Sequence, residues 1–313
     1  MMAATWTRPW FWAFAAAALA FAATVVLTGV QGAGGLLVAA LTFASFSVLV
    51  GLGQMAVITM GPGNVDLSIP AVMTLAGTLS LKLMDGAAGT ELWGLLAALG
   101  IGLGAGMANY AMIWLLRIPP IIATLSASFV FQSVAIWSNR GLRIKPPQSL
   151  AEFSTGSTLA VPNAAWIGLA AALAFWVLIE RTAYGRRLSA IGQNARAARL
   201  AGVPVEGVRA ATYVLSAVMA ALAGFLLSCF SGGAALNMGA EYLLMSIAVV
   251  VIGGSSIAGG NSNVPGIWGA ALFMFLIVSM LNSYGLGAGV RLILTGVIIV
   301  AIVVAASGRR LAA

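Results

Sequence analysis

From Trp10 to Ala306 the chain is a succession of apolar stretches, most of them near 20 residues long, separated by short polar gaps. A helix rises 1.5 Å per residue, so roughly 20 apolar residues cross the hydrocarbon of a bilayer. Inside lipid every backbone N–H and C=O must find its partner within the element, which a helix achieves and an irregular segment does not. The pattern therefore predicts an all-α, polytopic integral membrane protein of about ten transmembrane helices, forming a single domain over residues 1–313. The spans are read near Trp10–Thr28, Leu36–Met60, Leu67–Met84, Leu92–Leu116, Pro120–Trp137, Ala160–Ile179, Val208–Phe230, Tyr242–Ile252, Val264–Leu281 and Val290–Ala306. The first is longer than the apolar core of a secretory signal and reads as a span. The eighth is short and ends in glycines.

Charge supports this reading. Only 7% of the residues are charged, against 61% hydrophobic, and the mean hydropathy is +1.05. A soluble domain carries roughly 25% charged residues. Fifteen basic and seven acidic side chains cannot solvate a globule of 313 residues, so the surface meets lipid. The net charge of +8 does not indicate a nucleic-acid partner, because the basic residues sit in the gaps between spans. Lys and Arg accumulate in cytoplasmic loops. With both termini in the cytoplasm, Arg8, Arg117, Arg181, Arg186, Arg187, Arg196, Arg199, Arg209, Arg309 and Arg310 lie inside. Lys82, Arg140, Arg143, Lys145 and Arg291 then lie outside, together with Asp85, Glu91, Glu152 and Glu241.

Several chemistries are excluded. There is no histidine for a metal site or a general base, and Cys229 is the only cysteine, so no intrachain disulfide forms. Paired carboxylates on a helix face are missing, which leaves a membrane-embedded enzyme unsupported, and no catalytic or metal-binding residues are assigned. Neither Lys82 nor Lys145 follows the glycines of a GxxxxGK[ST] phosphate loop, so the chain does not hydrolyse ATP by that route. An ion-coupled secondary transporter would place ionisable groups in its core. Apart from Asp66 the span interiors are nearly free of acids. Gly100, Gly102, Gly104 and Gly106 lie inside a span with no preceding strand, so they read as small residues for close helix packing.

Three polar stretches remain. The longest, Glu180 to Arg209, holds a short helix: Asn194 is a good N-cap, Ala195 to Ala201 favour helix, Gly202 suits the left-handed C-terminal position and Pro204 prevents continuation. Arg196 and Arg199, three apart, share a face. So short a helix is marginal in water, and it either lies on the membrane with its arginines at lipid headgroups or docks a cytoplasmic partner. The second stretch, Gly61 to Pro70, reads as a helix break and a capped restart, with Asp66 near the helix N-terminus and Pro70 in the first turn. Alternatively Asn64, Asp66 and Ser68 line a translocation path and hydrogen-bond solute hydroxyls. The third, Gly253 to Gly266, is a glycine-rich inner-face loop, a re-entrant segment or a tight turn. Tyr284 and the tryptophans read mainly as interfacial anchors.

Here the sequence resembles a family. Gly185-Arg186-Arg187, Ala190-Ile191-Gly192, Asn194 and Ala197-Ala198-Arg199-Leu200-Ala201-Gly202-Val203 are similar to the cytoplasmic signature of sugar-type ABC importer permeases, the ribose and xylose group. Asp66-Leu67-Ser68 with Met73 and Leu75-Ala76-Gly77 resembles that family's motif after the second span. Ile118-Pro119-Pro120-Ile121-Ile122-Ala123-Thr124-Leu125 resembles its fifth-span start, Gly253 to Gly260 its glycine loop, and Leu281-Asn282 with Gly285 its late turn. Where Pro70 stands, family members often carry glycine, and paired glycines with an isoleucine often precede the aspartate. A heterodimer with a second, different permease is one explanation of that departure.

The resemblance implies a coupling helix within residues 189–204 that seats in a groove of a separate ATPase subunit. Gly192, Asn194, Arg196, Ala198, Arg199, Leu200 and Gly202 are its candidate coupling residues, and Asn64, Asp66, Ser68 and Asn282 the candidate path residues. It further implies a second permease chain (homodimer or heterodimer), an extracytoplasmic solute-binding protein, ATP bound by the partner with no cofactor on this chain, and a place in the bacterial inner membrane. The implied cargo is a monosaccharide or related polyol.

Overall fold

The computed structural model describes residues 9–139 and 144–285, together with 287, 289, 290, 293–298, 300 and 301. The chain runs through α1 (Pro9–Thr28), α2 (Ala33–Thr59), α3 (Ile69–Met84), α4 (Glu91–Leu115), α5 (Pro120–Ser138) and α6 (Gln148–Thr155). A two-strand hairpin, β1 (Ser157–Thr158) and β2 (Val161–Pro162), precedes α7 (Asn163–Arg181), α8 (Ala183–Leu200), α9 (Val205–Phe230), α10 (Tyr242–Ile252) and α11 (Val264–Ser283). Seven of these helices are long and apolar enough to cross a membrane, and α3 and α10 are shorter apolar helices. The protein is an all-α polytopic membrane protein. About half of the tenth expected span, Val290–Ala306, and Arg8, Arg140, Arg143, Arg291, Arg309 and Arg310 lie outside the described residues.

The burial pattern identifies the centre of the bundle. A helix apolar all round belongs inside other helices rather than at their edge. From Ala44 to Thr59 every residue of α2 is buried, and most of α9 is too. Helix α9 packs on α2, α3 and α4, while α2 also meets α7, α10 and α11, and α1 covers α11 from outside. Lipid supplies no hydrophobic drive between helices, so close approach through small residues holds them together.

The glycine run of α4 works in this way. A methyl at Gly106 would lie 2.5 Å from Val214 Cα, and one at Gly102 2.7 Å from Val218 Cα, both on α9. Gly100 and Gly104 point to open space. Four residues apart, Gly102 and Gly106 share one face of the helix. Gly106→Leu should therefore cost about 2 kcal/mol or more, whereas Gly104→Leu should stay within about 0.5 kcal/mol. Thermal unfolding of the two detergent-purified variants checks the contrast, and equal losses would contradict it.

Two loops are more ordered than expected from sequence. Residues 144–162 contain α6, which starts after Pro147, and the hairpin pairing Ser157 with Pro162. The Asn163 side chain holds it, accepting from Thr158 Oγ1 at 2.7 Å and donating to the Phe153 carbonyl at 2.8 Å. The 180–209 stretch is largely helical. Its predicted two-turn helix is not isolated, because α8 runs from Ala183 and breaks only at Asn194 (φ −161°, ψ 100°). The first part is anchored by the buried Leu188 and Ile191, an apolar i,i+3 pair hidden within a polar sequence.

Candidate functional site: the capped helix and the polar node beneath it

At the break in α8 the sequence specifies its own geometry. Asn194 Oδ1 accepts from the N–H groups of Arg196 (3.1 Å) and Ala197 (3.0 Å), capping the segment Ala195–Leu200. At the other end Gly202 has φ +81°, Val203 N–H donates to the Ala198 carbonyl at 3.0 Å, and Gly202 N–H donates to the Arg199 carbonyl at 3.1 Å. Both bonds of a Schellman motif are thus present. Pro204 follows, and α9 begins at Val205.

This segment has an inward and an outward side. Ala198 is buried against the bundle, whereas Asn194, Arg196, Arg199 and Gly202 are exposed and Leu200 is 84% exposed. Arg199 pairs with Glu206 at 2.6 Å, and Arg209 stands 3.9 Å from the same carboxylate. Gly192 lies inside a three-way junction: a side chain there would collide with the Thr59 carbonyl at the end of α2 and with the backbone of Gly260. Gly260 N–H itself donates to the Thr59 carbonyl at 2.9 Å. The glycine-rich loop is therefore an ordered clamp. Asn263 fastens it, donating through its side chain to the Gly253 carbonyl (2.7 Å) and through its backbone to Ser255 Oγ (3.0 Å). Tyr184 shares a 2.8 Å hydrogen bond with Thr212, tying α8 to α9. Burial pushes the Tyr184 hydroxyl up to about 12, so it stays neutral.

Beneath this face, the loop between α2 and α3 carries Asn64, Asp66 and Ser68. Asp66 is fully buried and its carboxylate accepts three hydrogen bonds: Ser68 N–H (2.9 Å) and Ser68 Oγ (2.6 Å) at Oδ1, and Ser216 Oγ (2.8 Å) at Oδ2. Its own N–H donates to Gln54 Oε1 at 3.1 Å. Ser68 accepts from Asn109 Nδ2 at 2.7 Å, and Leu67 N–H donates to Thr124 Oγ1 at 3.0 Å. One loop is thus tied to α2, α4, α5 and α9. The expected N-cap is different in detail: Ser68 occupies the N-cap position of α3, Pro70 falls in the first turn, and Asp66 bonds the N–H two residues on. Asp66 and Ser68 sit behind Asn64, which accepts from Tyr213 at 3.3 Å and borders a cavity of about 890 Å³. Asn282 is exposed at the far end of α11, apart from this cluster.

Sequence reading missed Gln54, Asn109, Tyr213 and Ser216. A signal existed for two of them. Gln54 and Asn109 are the lone amides of α2 and α4, and an amide inside an apolar span is costly unless partnered.

A helical bundle with spans long enough to cross a membrane, a break beside a buried acid and a rigid stub on one face make up a polytopic membrane protein, and the relatives it matches are transport permeases. The chain belongs to the family described as "Branched-chain amino acid transport system / permease component", which matches residues 36–306. It is 33% identical over 238 residues to the galactofuranose transporter permease protein YtfT of Escherichia coli K12, covering 75% of this chain and 67% of that one. It is 29% identical over 241 residues to the E. coli K12 ribose import permease protein RbsC, covering 75% of each. It is 28% identical over 263 residues to the autoinducer 2 import system permease protein LsrC of Yersinia enterocolitica, covering 84% of this chain and 73% of that one. No solved structure matches.

Proposed function

We propose that this chain is the transmembrane permease subunit of an ATP-driven ABC importer for a monosaccharide or related polyhydroxylated solute. It works in the bacterial inner membrane with both termini in the cytoplasm. A separate ATPase subunit docks on residues 189–204 and binds the ATP. A second permease chain, identical or homologous, completes the pore, and an extracytoplasmic binding protein delivers the solute.

The observation that carries this reading is the two-sided segment Ala195–Leu200. A capped helix is stiff, so a force applied to its exposed side reaches the bundle undiminished. Arg196, Leu200 and Gly202 form the side offered to the partner, and Asn194 keeps it helical. Gly192 and Ala198 face inward and are the seat on which the helix rests. From that seat two routes lead into the spans: the Thr59–Gly260 junction into α2 and the glycine clamp between α10 and α11, and the Arg199–Glu206 pair into α9. Approach of two ATPase subunits below a permease pair would rock these helices and alternate access to the path. Asn64 contributes directly to the path at the cavity edge, while Asp66 and Ser68 position it from behind.

Leu200→Asp tests the docking assignment. The side chain is exposed, so insertion and thermal stability should be unchanged, while recovery of the co-expressed ATPase subunit in pull-down falls at least about tenfold, as for loss of an apolar anchor. Undiminished recovery of the ATPase would contradict the assignment. Uptake that continues after proton and sodium gradients collapse but stops without ATP separates this function from ion-coupled transport.

A further inference from the structure

The turn between α4 and α5 holds an arginine where the backbone favours another residue. Helix α4 ends at Leu115, Leu116 caps it, and Arg117 follows with φ +56° before Pro119 and Pro120 open α5. The left-handed position after a helix is the usual place of glycine or asparagine, and a longer side chain there is held against a backbone preference. Arg117 nonetheless forms no ion pair among the described residues.

Arg117 belongs to the lining of the 890 Å³ cavity, with Arg199, Arg209 and Glu206. Glu206 serves both other arginines and also accepts from Tyr110 at 3.3 Å. Three cations therefore face one carboxylate, and Arg209 Nε is buried without a partner. The N-terminus of α5, with Pro119 at its cap and no side chain satisfying it, opens at the same cavity and adds its positive end. Apart from Asn64, the remaining side chains of the wall are apolar, among them Ile113, Trp114, Leu115 and Ile121, of which the last three are exposed on the outside of the bundle. A neutral polyol has no need of three guanidinium groups. A phosphodiester carrying hydrocarbon chains matches both the charged end and the apolar wall.

We propose that this cavity binds the phosphate of an anionic phospholipid from the cytoplasmic leaflet, with Arg117 as the principal contact and the acyl chains against Trp114 and Leu115. The inference goes beyond the transport reading and uses from it only the orientation, which places the cavity at headgroup depth on the inner side. Basic pockets between spans on that side suit lipid phosphate.

The test is native mass spectrometry of the full-length chain, delipidated in detergent and then offered phosphatidylglycerol or phosphatidylcholine. The wild type should retain phosphatidylglycerol at least about fivefold over phosphatidylcholine. Arg117→Gly, which removes the guanidinium while easing the backbone, should fall to near parity without losing thermal stability, and Arg209→Gln should fall with it. Arg186→Gln/Arg187→Gln, on exposed α8 arginines outside the cavity, should retain the preference. Unchanged preference in Arg117→Gly and Arg209→Gln overturns the proposal, as does equal loss in the α8 control. Complete displacement of phosphatidylglycerol by inorganic phosphate overturns the lipid source. If purified ATPase subunit displaces the lipid, the cavity is a protein contact and the proposal also fails.

Discussion

A Gly192→Val chain is expected to lose about 3 kcal/mol or more of stability, enough to remove most of the correctly folded protein from the membrane. The reason lies in three backbones that meet at this residue. The Thr59 carbonyl, the Gly260 amide and Gly61 with Gly259 all lie against it or against one another, so no flexible side chain is available to give way. A branched side chain must part α8 from the end of α2 and from the glycine clamp together. Gly202→Ala is the comparison. It places Cβ on a left-handed backbone, but in open space, and should cost only about 1 kcal/mol. Thermal unfolding in detergent reads both. A Gly192→Val protein that melts with the wild type and transports normally would show that the junction is not the seat of the helix.

The second large effect is at Asp66. Asp66→Ala removes the acceptor of two serine hydroxyls and one backbone N–H, all inside the bundle. At about 1–3 kcal/mol for each buried donor left unmade, the loss should reach about 3 kcal/mol or more. It should fall on the attachment of the α2–α3 loop to α9. Asp66→Asn keeps the shape and one acceptor oxygen, so it should cost less, about 1–2 kcal/mol. In both variants uptake should decline in step with thermal stability, as expected of a group that positions Asn64. Abolished uptake in an Asp66→Asn protein of unaltered melting would instead make Asp66 a direct part of the path.

What the sequence made legible was local or periodic. Span positions followed from apolar length alone, and Asn194, Gly202 and Pro204 marked the ends of the capped segment Ala195–Leu200 because a cap involves residues only a few positions apart. The packing face of Gly102 and Gly106 was legible as composition but not as direction, since the choice between the four glycines depends on where α9 lies. The polar node was illegible for a related reason. Gln54, Asn109, Thr124 and Ser216 reach Asp66 and its neighbours from four helices distant in sequence, and no spacing rule links them. The pairing of Arg199 with Glu206 was missed because it crosses the Gly202–Pro204 turn, whose direction sets which side chains meet. The direction of Ala198 was not legible either: the resemblance marks it as a coupling residue, and only the bundle beneath it shows that it faces inward.

In the proposed function an outside motor grips the segment Ala195–Leu200. Cysteine crosslinking tests it most directly, because Cys229 is buried and can be replaced by serine to give a background without thiols. Leu200 and Leu159 are equally exposed, 84% each, the first on the capped segment and the second in the hairpin turn at the opposite end of α7. With the co-expressed ATPase subunit carrying single cysteines along its permease-facing groove, Leu200→Cys should form a crosslink whose yield changes with bound ATP, and Leu159→Cys should form none. Crosslinking at Leu159→Cys, or none at Leu200→Cys in a complex active in uptake, would contradict the account.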